Sequence, residues 1–406
     1  GYVTVEANET GYVAAVGGVG YVDFIDALGA LRANSTLTLL NNVQLGASLQ
    51  IGVNLNFDLN GYTITSTLSK PTNVLFAVVG SDVTVNISNG TVVGTGEFIY
   101  VFNNVENVNV NCNNLTLTSS NSAVLFGSQS CKNVLYTFTD CTLTNNTTGG
   151  SVAELNNSKA ILNNTKSYAN GEDSFNVLLF NNSAVEVNDG TEIYAPNGVG
   201  IYTNGSNTVE TNIEINGGKV SAAVGIYQAG RGTLTVNGGE IVGVESGIEL
   251  RAGTLNINSG TISATADFAT QPNGSGTTVN GVAVAISQHS TKLPITVNIS
   301  GGELKYLGTD PDGKAFYETD IQNEPGTAPV PTISISGGAF AGSVVSERVD
   351  NYISDGKFTV APQYTEFADG RVLDTATVDE EGYATVVDGE YVALNNGIGY
   401  VSLQSA

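Results

Sequence analysis

The side chains in this sequence that could do chemistry are few and fall in five places. Asp310, Asp312, Glu318 and Asp320 crowd into DPDGKAFYETD. Calcium prefers several carboxylate and carbonyl oxygens on a flexible turn, so calcium is the cofactor this stretch suggests, although its spacing is not that of a standard calcium loop. Glu245, Glu249 and Arg251 form one close charged group, and Glu172 with Asp173 forms another. Polysaccharide hydrolysis needs paired carboxylates, and elimination needs calcium with a basic residue. Neither recurs here at a catalytic spacing, so the expectation is a protein that is not an enzyme. His289, the only histidine, stands in SQHSTK without a nucleophile or metal ligand beside it, and reads as a surface residue. Tyr202 and Tyr227 occupy the same place in GIYTN and GIYQA. They suggest an outward aromatic strip for a glycan or a neighbouring protein, against the alternative of plain ladder packing.

These residues need elements to position them, and the clearest run from Asn212 to Gly260. There NIEINGG, TLTVNGG and TLNINSG follow one another, and TVNISGG and TISISGG return near Ser300 and Ser336. Each is an apolar-polar-apolar alternation that ends in a turn. Leu59, Ile87, Cys112, Phe138, Leu162, Val187, Ile215, Val236, Ile257, Ile299 and Ile335 mark the register. Their spacing, about 21 to 42 residues, is within or somewhat above the range of solenoid coils. A second apolar column lies two residues earlier, from Phe57 and Val85 to Val297 and Ile333. Residues at i and i+2 share a face of a strand, so both columns point inward. A second strand follows the turn at Ile64, Val92, Leu117 and their equivalents, and a third is seen in FIYVF, VLFGS and GIYQA. Three strands per coil give an all-β, right-handed parallel β-helix of roughly ten to twelve coils.

Composition agrees with short strands and tight turns: 49 Gly and 13% charged residues in 406. The net charge of -24 repels nucleic acid and anionic membranes. No apolar run is long enough to span a bilayer, so no membrane insertion is expected. Three cysteines give no disulfide framework, though Cys131 and Cys141 could pair. The absence of Met is read as numbering that begins after a removed export signal, which implies an extracellular or cell-surface location.

In chain order, residues 1–36 are expected to form short strands and a capping helix, with Asp23 near its start and Phe24, Ile25, Leu28 and Leu31 at helical spacing. Residues 37–349 form the β-helix. Two long intervals, ATQPNGSGTTVNG and GTDPDGKAFYETDIQNEPGTAPVP, should emerge as loops on one side. Residues 350–406 form a C-terminal β region in which FTVAPQYTEF, TATVDEEGYATVV, EYVAL and GYVSLQ read as strands. The helix, the strand LTLLNNVQL, the coil DLNGYTI, ISGGAF at Ile335 and YISDGKF at Tyr352 together resemble the β-helix repeat proteins of bacterial cell surfaces, over roughly residues 12 to 360. That resemblance implies a pectate-lyase-like solenoid.

GYV recurs at Gly1, Gly11, Gly20 and Gly399, outside the coil register. A terminal segment can add as a strand to an exposed edge of another copy. Tyr2, Val3, Val5, Tyr400, Val401 and Leu403 are therefore candidate assembly residues, with a head-to-tail homopolymer as the expected partner. The functional expectation is a self-assembling structural protein of the cell surface, a filament, appendage or layer. The alternatives are an adhesin or glycan-binding module and, third, a polysaccharide lyase or hydrolase.

Overall fold

The alternation read along the sequence becomes stacks of parallel strands. The structure, a computed structural model, describes residues 11–70 and 73–406. Its chain winds into a β-solenoid of about 12 turns. Pairing falls into three stacks. In the first, Val110 and Cys112 lie between Val85 and Ile87 of one coil and Tyr136 and Phe138 of the next. In the second, Leu117 lies between Val92 and Leu143. In the third, Ile99 lies between Phe76 and Leu125.

Register follows from burial, because a slip of one residue would turn every apolar side chain of a strand outward. Leu162, Val187, Ile215, Val236, Ile257, Ile299 and Ile335 pair in succession, as the spacing predicts. All are buried, and each contributes about 1.5–3 kcal/mol by leaving water. The turn after the first strand needs left-handed backbone. Asn supplies it early in the chain, at Asn89 (φ 58°) and Asn114 (φ 52°), and Gly later, at Gly239 (φ 78°) and Gly260 (φ 91°). At Gly239 a Cβ would also come within 2.7 Å of Gly217 backbone, which is why the motif reads NGG. Asparagine amides then link the coils: Asn216 donates to Asn188 at 3.0 Å, Asn237 to Asn216 at 2.9 Å, and Asn258 to Asn237 at 2.8 Å.

The first coil departs from the expected register. Phe57 pairs with Ile87 and Leu55 with Val85, so Leu59 is not the equivalent of Ile87. Phe57 and Ile64 bracket a turn through Leu59, Asn60, Gly61 and Tyr62 that is two residues longer than the turn between Ile87 and Val92, so aligning on the turn shifted the strand.

Both ends of the core are plugged by aromatic rings. At the N-terminal end, β1 (Ala14–Val16) pairs antiparallel with β2 (Val19–Tyr21) and β3 (Ser35–Leu39). Helix α1 (Phe24–Gly29) starts at Asp23, whose carboxylate accepts from the N–H groups of Ile25 (2.7 Å) and Asp26 (3.2 Å). Phe24 packs on Phe57 at 6.4 Å. Ile25 does not face the core as expected. It is 67% exposed, because Phe24 and Ala27 already fill the inward side of this short helix. Strands β4 (Val43–Leu45) and β5 (Leu49–Ile51) begin the second and third stacks.

At the other end, parallel pairing continues past residue 349 to Phe358, which stacks on Phe340 at 4.8 Å. Phe367 and Tyr391 then close the core. FTVAPQYTEF is not one strand: the Ile353–Phe358 strand ends there, Pro362 follows, and Tyr364–Glu366 is a 3-10 turn. Arg371–Val378 and Ala384–Asp388 form an antiparallel pair added to that last strand. Ala393–Asn395 and Ile398–Tyr400 make a separate hairpin.

Candidate functional site

The outer face of the third stack carries one residue per coil at a common register: Tyr100, Phe126, Glu154, Leu178, Tyr202, Tyr227, Glu249, Ala285 and Tyr317. Tyr202 and Tyr227 do stack, with ring centres 4.9 Å apart and planes 4° from parallel. Phe175 meets Tyr202 edge-on at 5.0 Å, and the guanidinium of Arg251 lies 5.3 Å from the Tyr227 ring centre. The ring faces on which a sugar would stack are thus largely taken by neighbours. A second group lies nearer the N-terminal end, where Tyr100 stacks on Phe126 at 5.3 Å. Beside it, burial and then the charge of Glu154 push the Glu97 carboxyl up to about 7.

The charged group around Glu249 is a lock. Arg251 and Glu249 form an ion pair at 3.0 Å with side chains 1% and 3% exposed. The insertion predicted as a loop folds into a hairpin, Ala269–Asn273 against Gly276–Asn280, and lies over them. Arg251 donates to the carbonyls of Ser275 (3.1 Å) and Thr277 (2.5 Å) and to the Thr278 hydroxyl (3.2 Å). Ser287 donates to Glu249 at 3.1 Å. Burial pushes the Glu249 carboxyl up despite Arg251. Sequence reasoning saw these charges but not the cover, although PNGSG between Thr270 and Thr277 is a hairpin turn signal. His289 is not a free surface residue. It is half-buried, its ring approaches Gly205 so closely that a Cβ there would sit 2.8 Å away, and burial and Arg251 hold its pKa below the ordinary value.

The four carboxylates proposed for calcium are not brought together. Asp310 accepts from the N–H groups of Phe268 (2.7 Å) and Asp312 (2.9 Å), and these bonds hold its carboxyl below the usual range. Glu318 is turned inward and pairs with Arg348 at 2.7 Å. Asp320 also pairs with Arg348, at 2.9 Å, and accepts from the Gly326 N–H at 2.6 Å. Among the described residues no group of three or more such ligands could hold a metal ion. Cys112, Cys131 and Cys141 are free and buried, so Cys131 and Cys141 do not pair.

The two ends differ from the body. Among the described residues, Tyr12, Val19, Val22, Ile25 and Val53 are exposed at or near the first coil, and Val360, Tyr364, Val378, Val387, Val392, Leu394 and Leu403 beyond the last. They make up twelve of the eighteen exposed large apolar side chains. Tyr2, Val3 and Val5 lie outside the described residues. Tyr400 pairs with Ala393 inside the terminal hairpin. Val401 and Leu403 are not in a strand, because Ser402 turns the chain: its hydroxyl accepts from the Gln404 N–H at 3.1 Å and its carbonyl from Ser405 at 3.1 Å. Beside β5 lies a cleft of about 400 Å3, bordered by Leu28, Leu31, Leu49, Ile51, Val53 and Leu55, which the sequence did not reveal. Comparison with known proteins gave no match to a family model, a curated protein or a solved structure.

Proposed function

We propose that this chain is an exported, non-enzymatic structural protein of the cell surface that assembles end to end into a filament, appendage or layer. The observation that carries this reading is the gathering of exposed apolar side chains at the two ends of the solenoid, twelve of eighteen among the described residues. Exposed apolar patches on a folded protein mark contact surfaces. Because the two ends are different surfaces, their contact is head to tail and does not close on itself. The charged groups on the body support the same reading. Arg251 and Arg348 tie down Glu249, Glu318 and Asp320, which leaves these carboxylates no free role in acid-base work. The likeness of ISGGAF and YISDGKF to bacterial cell-surface β-helix proteins agrees with the surface location.

Sedimentation velocity over a concentration series tests the proposal. Species that lengthen without limit as concentration rises are expected, and a single monomeric boundary at all concentrations overturns it.

A further inference from the structure

Among the described residues, β5 has a strand partner on one side only, Phe76–Val78 of the next coil. Its other edge faces the N-terminal end beside the cleft floored by Leu49, Ile51 and Leu55 and walled by Leu28 and Leu31. Helix α1 and the β1–β2 hairpin contact each other, β1 extends the first stack, and among the described residues neither β1 nor β2 pairs with β5. An open edge with apolar side chains along it is a template for another strand.

The opposite end carries a strand pair of the right kind. Among the described residues the hairpin of Ala393–Asn395 and Ile398–Tyr400 has no strand-ladder partner beyond itself, and it is held to the body where the Gly397 carbonyl accepts from the Tyr364 N–H at 3.2 Å. Val392 and Leu394 lie two residues apart, share one face and are 57% and 56% exposed. Residues 391–406, YVALNNGIGYVSLQSA, contain no charged side chain, and neither does the lining of the cleft. In a chain of net charge -24, copies repel one another except where such neutral surfaces meet.

From this we infer that the C-terminal hairpin of one copy adds to the free edge of β5 in the next, with Val392 and Leu394 against Leu28, Leu31 and Val53. The inference rests on the end-to-end reading above and names its two surfaces. Main-chain hydrogen bonds along β5 supply the affinity, and the apolar side chains set the register.

Two exposed substitutions test it, each verified as folded by circular dichroism. Leu394→Asp disables the donor and Val53→Asp the acceptor. Each variant alone should lose the sedimenting polymer. Mixed one to one, they should form a discrete dimer, because one intact donor then meets one intact acceptor. Wild-type chain that never polymerises overturns this inference together with the end-to-end reading. Wild-type polymer that survives both substitutions overturns this pair of surfaces alone. Polymer lost on deleting residues 1–10 while Leu394→Asp still polymerises assigns the cleft to that segment, and also overturns the hairpin.

Discussion

Replacing Arg251 by Met keeps most of the side-chain volume and removes the guanidinium. Glu249 would then stay under the hairpin with no cation beside its carboxylate, which keeps only the Ser287 hydroxyl, at 3.1 Å, and the Val279 backbone N–H. The Ser275 and Thr277 carbonyls would lose their shared donor. Removing one partner of a buried ion pair costs about 3–5 kcal/mol. The carboxyl of Glu249 is already raised by burial, and without Arg251 it rises further. A carboxyl whose folded pKa exceeds its unfolded value favours the folded state in acid, and this is lost as pH rises through the interval between the two. The defect should therefore grow as pH rises above the ordinary carboxylate range. Hydrogen exchange across residues 269–280 reads it, as protection at pH 8 lower in the variant than in the wild type at the same pH. The double variant Arg251→Met with Glu249→Gln leaves no buried charge and should recover most of the protection. Unchanged exchange in the single variant at pH 8, or a double variant no better than the single, would refute the role given to Arg251.

Val236→Asp places a charge between Ile215 and Ile257 in a fully buried column. It should cost several kcal/mol, seen as a lower urea midpoint, and an unchanged midpoint would contradict the stacked core. Glu366 lies under the C-terminal plug, where burial pushes its carboxyl from 4.5 up to about 7 while it accepts from the Tyr352 hydroxyl at 2.7 Å. Stability should accordingly fall as pH rises from about 4.5 to about 7, by up to about 1.4 kcal/mol per unit. Glu366→Gln should flatten that part of the pH profile, and an unaltered slope would exclude Glu366 as its source. Chelating calcium should leave melting temperature and assembly unchanged, because Glu318 and Asp320 are paired with Arg348 and Asp310 with backbone N–H groups. A fall in melting temperature restored by added calcium would reopen the acidic stretch as a site.

The solenoid was legible because each coil repeats a period of two that only one register satisfies, as at Ile213 and Ile215 or Leu234 and Val236. Legibility failed where spacing ceased to report pairing. Leu59 was placed by its turn, and the turn had grown by two residues. Among the candidate sites, Tyr202 and Tyr227 were placed together correctly, but the sequence could not show that Arg251 lies against Tyr227, since that contact depends on the coil-to-coil offset. The acidic stretch misled for a related reason. Side chains alternate along Lys314–Thr319, so Glu318 turns inward to Arg348 while Asp310 and Asp312 stay in the preceding turn. The cleft beside β5 is made by Leu28 and Leu31 of the helical segment meeting strand residues about twenty positions later, a tertiary contact with no local signal.

End-to-end assembly is tested most directly by electron microscopy of the full chain, negatively stained over a range of concentrations. Unbranched filaments are expected, with an axial repeat near the length of one solenoid, roughly 60 Å for about 12 coils at the inter-strand spacing. Isolated rods of that length at every concentration, with no end-to-end contacts, would contradict it.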